Sequence, residues 1–243
     1  MLRLLLIFVC LLSNTLSANE LDALVKSAKL LFEDDFNRVE KDDTKEELGK
    51  EWMTNSKSRA KGTKQCDLLG EAVKISMAKV ADHGVSMRHD APFHNGIIVS
   101  RFKITDSKGI KFNFNDPAAK DVTWAGHIAG IEVKPGKITI QDHITGIFDL
   151  KIREMKNSKD AAKKKEAAKI LKDKQKSFNS NVSLNEWHVI AIIFQGEKVE
   201  VILNGKKIGD FSSKGLDHKV KQNLAFAVSG TVEVDDLKIY SLD

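Results

Sequence analysis

Three side chains able to move a proton crowd one short stretch, Gly126 to Gly146: His127, Asp142 and His143. Upstream lies a second polar group, Arg88, His89, Asp90 and His94. An imidazole beside a carboxylate is a general acid–base pair, and a guanidinium can hold an oxyanion or a sugar hydroxyl. No H-x-H or H-x-x-x-H spacing presents two imidazoles locally, so the sequence carries no local metal signature. The ordinary use of such residues competes with catalysis, because His and Asp at strand ends commonly satisfy turn backbone groups.

Side-chain alternation divides the cluster. Along Ile138–His143, Ile138, Ile140 and Asp142 fall on one face, and Thr139, Gln141 and His143 on the other. Asp142 is therefore expected on the core side, tying down a turn or orienting His127, because a buried carboxylate must find donors. His143 is expected to face solvent. The catalytic candidates are then His89, His127 and Asp142, with Arg88, Asp90 and His94 as ligand-binding candidates.

The elements that must position them read as strands. Glu71–Met77, Gly96–Ile104 and Ile110–Asn115 alternate with period two, and Leu31–Phe36 reads as a first strand. Further short runs occupy His127–Val133, Lys137–Gln141 and Gly146–Ile152. Trp187–Phe194, Val199–Leu203 and Lys207–Phe211 form a meander whose second turn is Asn204-Gly205, a strong hairpin signal. Lys134–Lys137 sets Pro before Gly, suited to a type II turn. Short strands separated by turn signals predict an all-β antiparallel sandwich or barrel over residues 31–243.

One segment breaks the pattern. Residues 157–175 are rich in Ala and Lys and lack Gly and Pro, which predicts one Lys-rich helical insertion opening at Asn157. Between Arg153 and Lys176 ten Lys/Arg face four Asp/Glu, a surplus of six in a chain of net charge +5, so the remainder sums to −1. A near-neutral body argues against a nucleic-acid partner.

The start of the chain sets the compartment. Arg3, the nine apolar residues Leu4–Leu12 and the small polar stretch Ser13–Ala18 have the order of a signal peptide over residues 1–18. The apolar run is too short to span a bilayer, and no membrane span is expected. The protein is expected to be secreted or periplasmic, with residues 19–30 a linker or short helix. Loss of the leader removes Cys10 and leaves Cys66, expected as a buried apolar residue.

The order of Leu31–Phe36, Arg88–Asp90, Gly126–Ile128, Gln141–Gly146, Glu186–Gly209 and Val232–Tyr240 resembles the concanavalin A-like jelly-roll superfamily. Within it, the chain is most similar to the secreted bacterial 3-keto-disaccharide hydrolase domain family and its uncharacterised relatives. That resemblance implies a jelly-roll β-sandwich. It also implies that some of the His, Asp and Arg candidates could converge on a concave face, since it brings distant strand ends together. Adjacent first and last strands would place Asp34 and Asp35 near Asp235 and Asp236, candidate ligands for a structural calcium; no other cofactor is expected.

Jelly-roll glucanases set three acids on one strand as E-x-D-x-x-E, and no such run is present. Of the three Trp, Trp52 and Trp187 are expected to pack, and Trp124 is the candidate sugar platform. Two functions follow: a carbohydrate- or surface-polymer-binding module without catalysis, or a glycoside-processing enzyme of the 3-keto type. Convergence of His89, His127 and Asp142 in a concave pocket would favour the enzyme.

Overall fold

The computed structural model describes residues Ala18–Asp243, with side chains from Leu21 onward. Residues 1–17, which hold the expected leader, lie outside the described residues. Among the described residues no helix is long and apolar enough to cross a membrane.

Two antiparallel sheets face each other. The first contains β1 (Lys29–Asp34), β3 (Cys66–Leu68), β4 (Val73–Ser76), β6 (Gly96–Ile104), β11 (Trp187–Gln195), β12 (Lys198–Leu203), β13 (Lys206–Ser212) and β15 (Thr231–Ser241). The second contains β2 (Met53–Thr54), β5 (Val85–Phe93), β7 (Ile110–Asn115), β8 (His127–Lys134), β9 (Lys137–Asp142), β10 (Gln175–Asn179) and β14 (Lys221–Val228). The order in the second sheet is β10-β9-β8-β7-β14-β5-β2, so the topology places distant segments side by side. This is an antiparallel sandwich, one of the two forms that the alternating pattern predicts, with the jelly-roll arrangement that the resemblance implies.

The core lies between the sheets. Phe102 and Phe194 from the first sheet meet Phe112, Phe114 and Phe226 from the second, all fully buried. Each such ring contributes about 1.5–3 kcal/mol by leaving water. Phe114 and Phe194 meet edge to face with centroids 4.7 Å apart. The run Ile97-Ile98 is buried on both faces because a helix, α1 (Ala18–Ser27), covers the outside of the first sheet with Leu21, Leu24 and Val25. That double burial explains an apolar run where alternation alone predicts a polar residue. Asn204 and Gly205 take φ of 49° and 76°, the backbone a two-residue primed hairpin requires.

Three elements differ from expectation. Arg88–Asp90 lies in the middle of β5 rather than at a strand end. The run Gly146–Ile152 is not a strand: a π-helical turn, His143–Ile147, leads into α3 (Leu150–Asn157), capped by the Asp149 carboxylate accepting from Ile152 N. A separate α4 (Ala161–Lys172) is capped by Asp160, not Asn157. The expected single helix is therefore a pair, broken at Ser158–Asp160, and the chain returns to the sheet as β10. The remaining helix, α2 (Ser56–Arg59), is one turn between β2 and β3. Cys66 is a free, fully buried thiol, and burial pushes its pKa well up.

Candidate functional site

Alternation in the second sheet builds two faces with opposite chemistry. On β7, Ile110, Phe112 and Phe114 enter the core while Lys111, Asn113 and Asn115 point away. On β5, Ser86, Arg88 and Asp90 point away, and on β14 so do Asn223, Ala225 and Ala227. Register lines up Arg88, Ala225, Asn113, Gly130 and Gln141 across five strands. The small residues Ala225 and Ala227 leave the middle of this face open. Two adjoining hollows of ≈ 340 and ≈ 410 Å³ result, sharing Ser86, Asn115 and His127 in their walls.

One end of the groove is built from rings. His127 opens β8 and stacks on Phe148, with centroids 4.3 Å apart and planes 29° from parallel. His143 meets Phe148 edge-on at 4.9 Å and stands perpendicular to His127, their centroids 6.0 Å apart. It lies over Gly130, where a Cβ would come within 2.4 Å of its Cε1 and 3.2 Å of Asn113 Oδ1. His143 Nε2 is 3.1 Å from Gln141 Oε1. Asn115 Nδ2 donates to Asn223 Oδ1 at 2.9 Å. Asn113 Oδ1, Asn115 Oδ1, His127 Nδ1 and His143 Nδ1 are buried with no hydrogen-bond partner.

Electrostatics keep both imidazoles neutral. Burial, helped by the Lys111 cation, pushes the His127 pKa down to about 4. The same causes, burial first, push His143 well below its ordinary value. Burial also lowers Lys111, opposed by Glu132. A histidine held below its unfolded value stabilises the fold above pH 6.5 and destabilises it as pH falls through the window from about 6.5 to about 4. His127 alone is expected to remove about 3 kcal/mol across that window. Urea titrations at pH 7 and pH 4.5 should show the loss, and His127→Phe should recover part of it. Equal pH dependence in the variant would dismiss this account.

A profile of the 3-keto-alpha-glucoside-1,2-lyase-like domain matches residues 78–239. The chain belongs to this family. The match begins just before β5 and ends inside β15, so it takes in the groove strands β5, β7, β8, β9 and β14.

Solved structures with the same fold include a laminarinase from Flavobacterium sp. UMI-01, with a TM-score of 0.54 and 14% identity over 87% of this chain and 100% of that one. A laminarinase from Rhodothermus marinus superposes with a TM-score of 0.55 and 12% identity, over 88% and 97% of the two chains. SCLam, a non-specific endo-beta-1,3(4)-glucanase from family GH16, gives 0.53 and 14% over 88% and 91%. These share the two-sheet sandwich fold of the chain. No curated protein matches the chain in sequence.

This member of the lyase-like family does not assemble the expected trio. His89 points into the core with Met87 and Ala91, its ring stacked on Phe32 at 3.5 Å and near Trp52. Asp142 is buried as expected, but it binds the π-turn and the Ser213–Gly215 loop, through Thr145 N, Thr145 Oγ1, Ser213 Oγ and Gly215 N, and does not orient His127. Of the three, only His127 faces the groove. His143, expected at the solvent, is buried, because β9 ends at Asp142 and the π-turn folds the imidazole onto the sheet.

The binding candidates also divide. Arg88 and Asp90 line the groove. His94 does not: its Nε2 pairs with Asp217 at 2.7 Å in the turn after β5. Trp124 is 50% exposed, with the Arg153 guanidinium 4.3 Å from its ring. Trp187, expected to pack, is also partly exposed, beneath Arg101 and Lys103.

The four acids are engaged by cations and amides rather than gathered into a ligand set. Asp34 accepts from both Arg38 Nη atoms at 2.6 and 2.8 Å and from Trp52 Nε1 at 2.7 Å. Asp35 accepts from Asn37, while Asp235 and Asp236 share Arg101. Among the described residues no three His, Cys, Asp or Glu side chains are placed to hold a metal.

Sequence reasoning missed Lys111, Asn113, Asn115 and Asn223. The signal existed in Ile110–Asn115, whose polar half is as regular as its apolar half. Asp90 and Glu132, acids on the groove face, stand on β5 and β8, three strand spacings apart. That is about 14 Å, far beyond the ~5–5.5 Å of a retaining glycosidase pair.

Proposed function

We propose that the polar face of the second sheet is a carbohydrate-binding groove. The observation that carries this reading is the three buried, unpartnered atoms on its lining residues Asn113, Asn115 and His127. Leaving such an atom unpaired costs about 1–3 kcal/mol, and sugar hydroxyls supply donors and acceptors that relieve it. Ala225 and Ala227 leave room for a ring above them. Membership of the 3-keto-alpha-glucoside-1,2-lyase-like family and a fold shared with glucan-acting enzymes support the same ligand class. The leader expected from the sequence would place this groove outside the cytoplasm.

One observation favours a second reading, in which the groove also does chemistry: two neutral imidazoles stand beside the Lys111 cation. On a 3-keto-glycoside an imidazole nitrogen takes the proton at C2, which the neighbouring ketone acidifies. The released electron pair forms a C1=C2 double bond, and the glycosidic C1–O bond breaks with its electrons on the departing oxygen. Lys111 would stabilise the enolate oxygen at C3. His127, the more open of the two imidazoles, is the base in this scheme.

Calorimetric titration with glucan oligosaccharides and 3-keto-glucosides tests both. Saturable binding that weakens about tenfold in Asn115→Leu is the expected result. Turnover lost in His127→Gln with binding retained would add the second reading. Binding without turnover leaves the first alone, and no saturable binding by any sugar defeats both.

A further inference from the structure

We infer that the glycan this groove takes is anionic, with a carboxylate or sulfate group seated between Arg88 and Lys111 and the chain leaving across the rim formed by Trp124 and Arg153. The inference rests on the carbohydrate reading above and names its ligand class.

The floor of the groove carries two cations without close acid partners. Arg88 is exposed, and its one hydrogen-bond contact among the described residues is the Met53 Sδ at 3.8 Å. Lys111 comes no closer than 4.0 Å to Glu132, and Glu132 is held at 3.0 Å by Lys134. Register sets Arg88 opposite Ala225 and Lys111 opposite Ala227. Only methyl groups therefore rise between the strands that carry the two cations, and long side chains can close on a group placed there. Burial holds Lys111 below its ordinary pKa, a cost that an arriving anion would reverse.

Asp90 stands two residues from Arg88 on the same face, with Gln222 Nε2 at 3.5 Å. It repels an anion at that end and so favours the Lys111 side of the gap. A neutral glycan offers either cation only hydroxyl acceptors. A uronate or sulfate ester offers charge-assisted hydrogen bonds to both.

The Lys-rich helices begin at the groove's wall. Phe148, stacked on His127, accepts from Trp124 N at 2.7 Å, and Leu150 N donates to Val122 O at 3.2 Å. The insertion is thereby fastened to the loop that carries Trp124, and Arg153 from α3 lies over the indole. Its one ion pair among the described residues is Lys174 with Asp142 at 3.9 Å. The other lysines are free to attract a polyanion toward the Trp124 end, while the body of the protein is near neutral. A sugar packed on the exposed indole would hold its acid group beside Arg153.

Three oligosaccharides of matched length separate the outcomes: oligogalacturonate, a chondroitin sulfate fragment and a neutral laminarin fragment, each titrated into the full chain at low and physiological salt. The two anionic ligands are expected to bind at least about tenfold tighter than the neutral one. Arg88→Gln and Lys111→Met should each weaken them about tenfold and weaken laminarin less, so that the preference for the anionic ligands shrinks. Arg88 is exposed, so its variant keeps the test open even if Lys111→Met fails to fold.

Neutral binding as tight as anionic binding overturns the inference and leaves the groove reading standing. Loss of all binding removes both. Anionic binding that ignores Arg88 and Lys111 but vanishes in Lys163→Glu/Lys164→Glu/Lys165→Glu assigns it to the helices and overturns the seat. Equal affinity for a single-stranded oligonucleotide reduces it to general polyanion attraction and overturns the seat as well.

Discussion

Gly130→Ala is expected to destabilise the fold by about 1–3 kcal/mol and to abolish ligand binding in the groove. A Cβ there would meet His143 Cε1 at 2.4 Å and Nε2 at 2.7 Å, distances that no rotamer adjustment of an alanine can relieve. The imidazole has nowhere to retreat, being wholly buried against Phe148 with Gln141 at its Nε2. It must leave the sheet, taking the π-turn and the wall of the groove with it. Denaturant melts report the stability change, and proton NMR of the His143 ring reports the displacement. A variant with native midpoint and native imidazole shifts would show that the contact does not hold the ring.

Asp142→Ala is expected to cost more, about 3–5 kcal/mol, because the carboxylate serves several donors at once. It accepts from Thr145 N at 3.0 Å, Thr145 Oγ1 at 2.5 Å, Ser213 Oγ at 2.5 Å and Gly215 N at 3.1 Å. Gly215 approaches so closely that an added Cβ would lie 2.2 Å from Asp142 Oδ1. Removing the carboxylate leaves these donors buried and unpaired and cuts the π-turn loose from the 3-10 turn Lys214–Asp217. Amide hydrogen exchange at Thr145 and Gly215 should accelerate together in the variant. If Gly215 exchanges at its native rate, the carboxylate is not the clasp described.

The two residues show how far the sequence could be read. Alternation put Asp142 on the core side, as found, and the need of a buried carboxylate for donors offered it two roles, tying down a turn or orienting His127, of which the structure shows the first. The same alternation failed one residue later, because it assumes that the strand continues. The backbone enters a π-turn at His143, and no Gly or Pro between Ile138 and Thr145 announces the change.

Arg88–Asp90 failed in the opposite sense. Expected at a strand end, these three residues occupy the centre of a nine-residue strand whose outer face is a groove. Lys111, Asn113 and Asn115 were legible as a polar face and illegible as a site. Their meaning depends on β14 and β8 lying on either side of β7, a neighbourhood set by topology rather than by local pattern. The meander from Trp187 to Ser212 needed no such information, since each turn joins strands that pair directly.

The chain departs from the second sheet at Asp142 and rejoins it at Gln175, whose register partner is Gln141. Geometrically the whole helical excursion is the tip of a hairpin, and the entropy of closing such a tip rises only with the logarithm of its length. The sandwich is therefore nearly indifferent to what the hairpin carries, yet the segment from Arg153 to Lys176 holds a surplus of six positive charges in a protein of net charge +5. Exchanging the exposed lysines of α3 and α4 for neutral residues would reverse the sign of the molecule while the core between the sheets stays in place. Ligand preference and foldedness can thus evolve on separate parts of the chain, with the π-turn as the hinge between them.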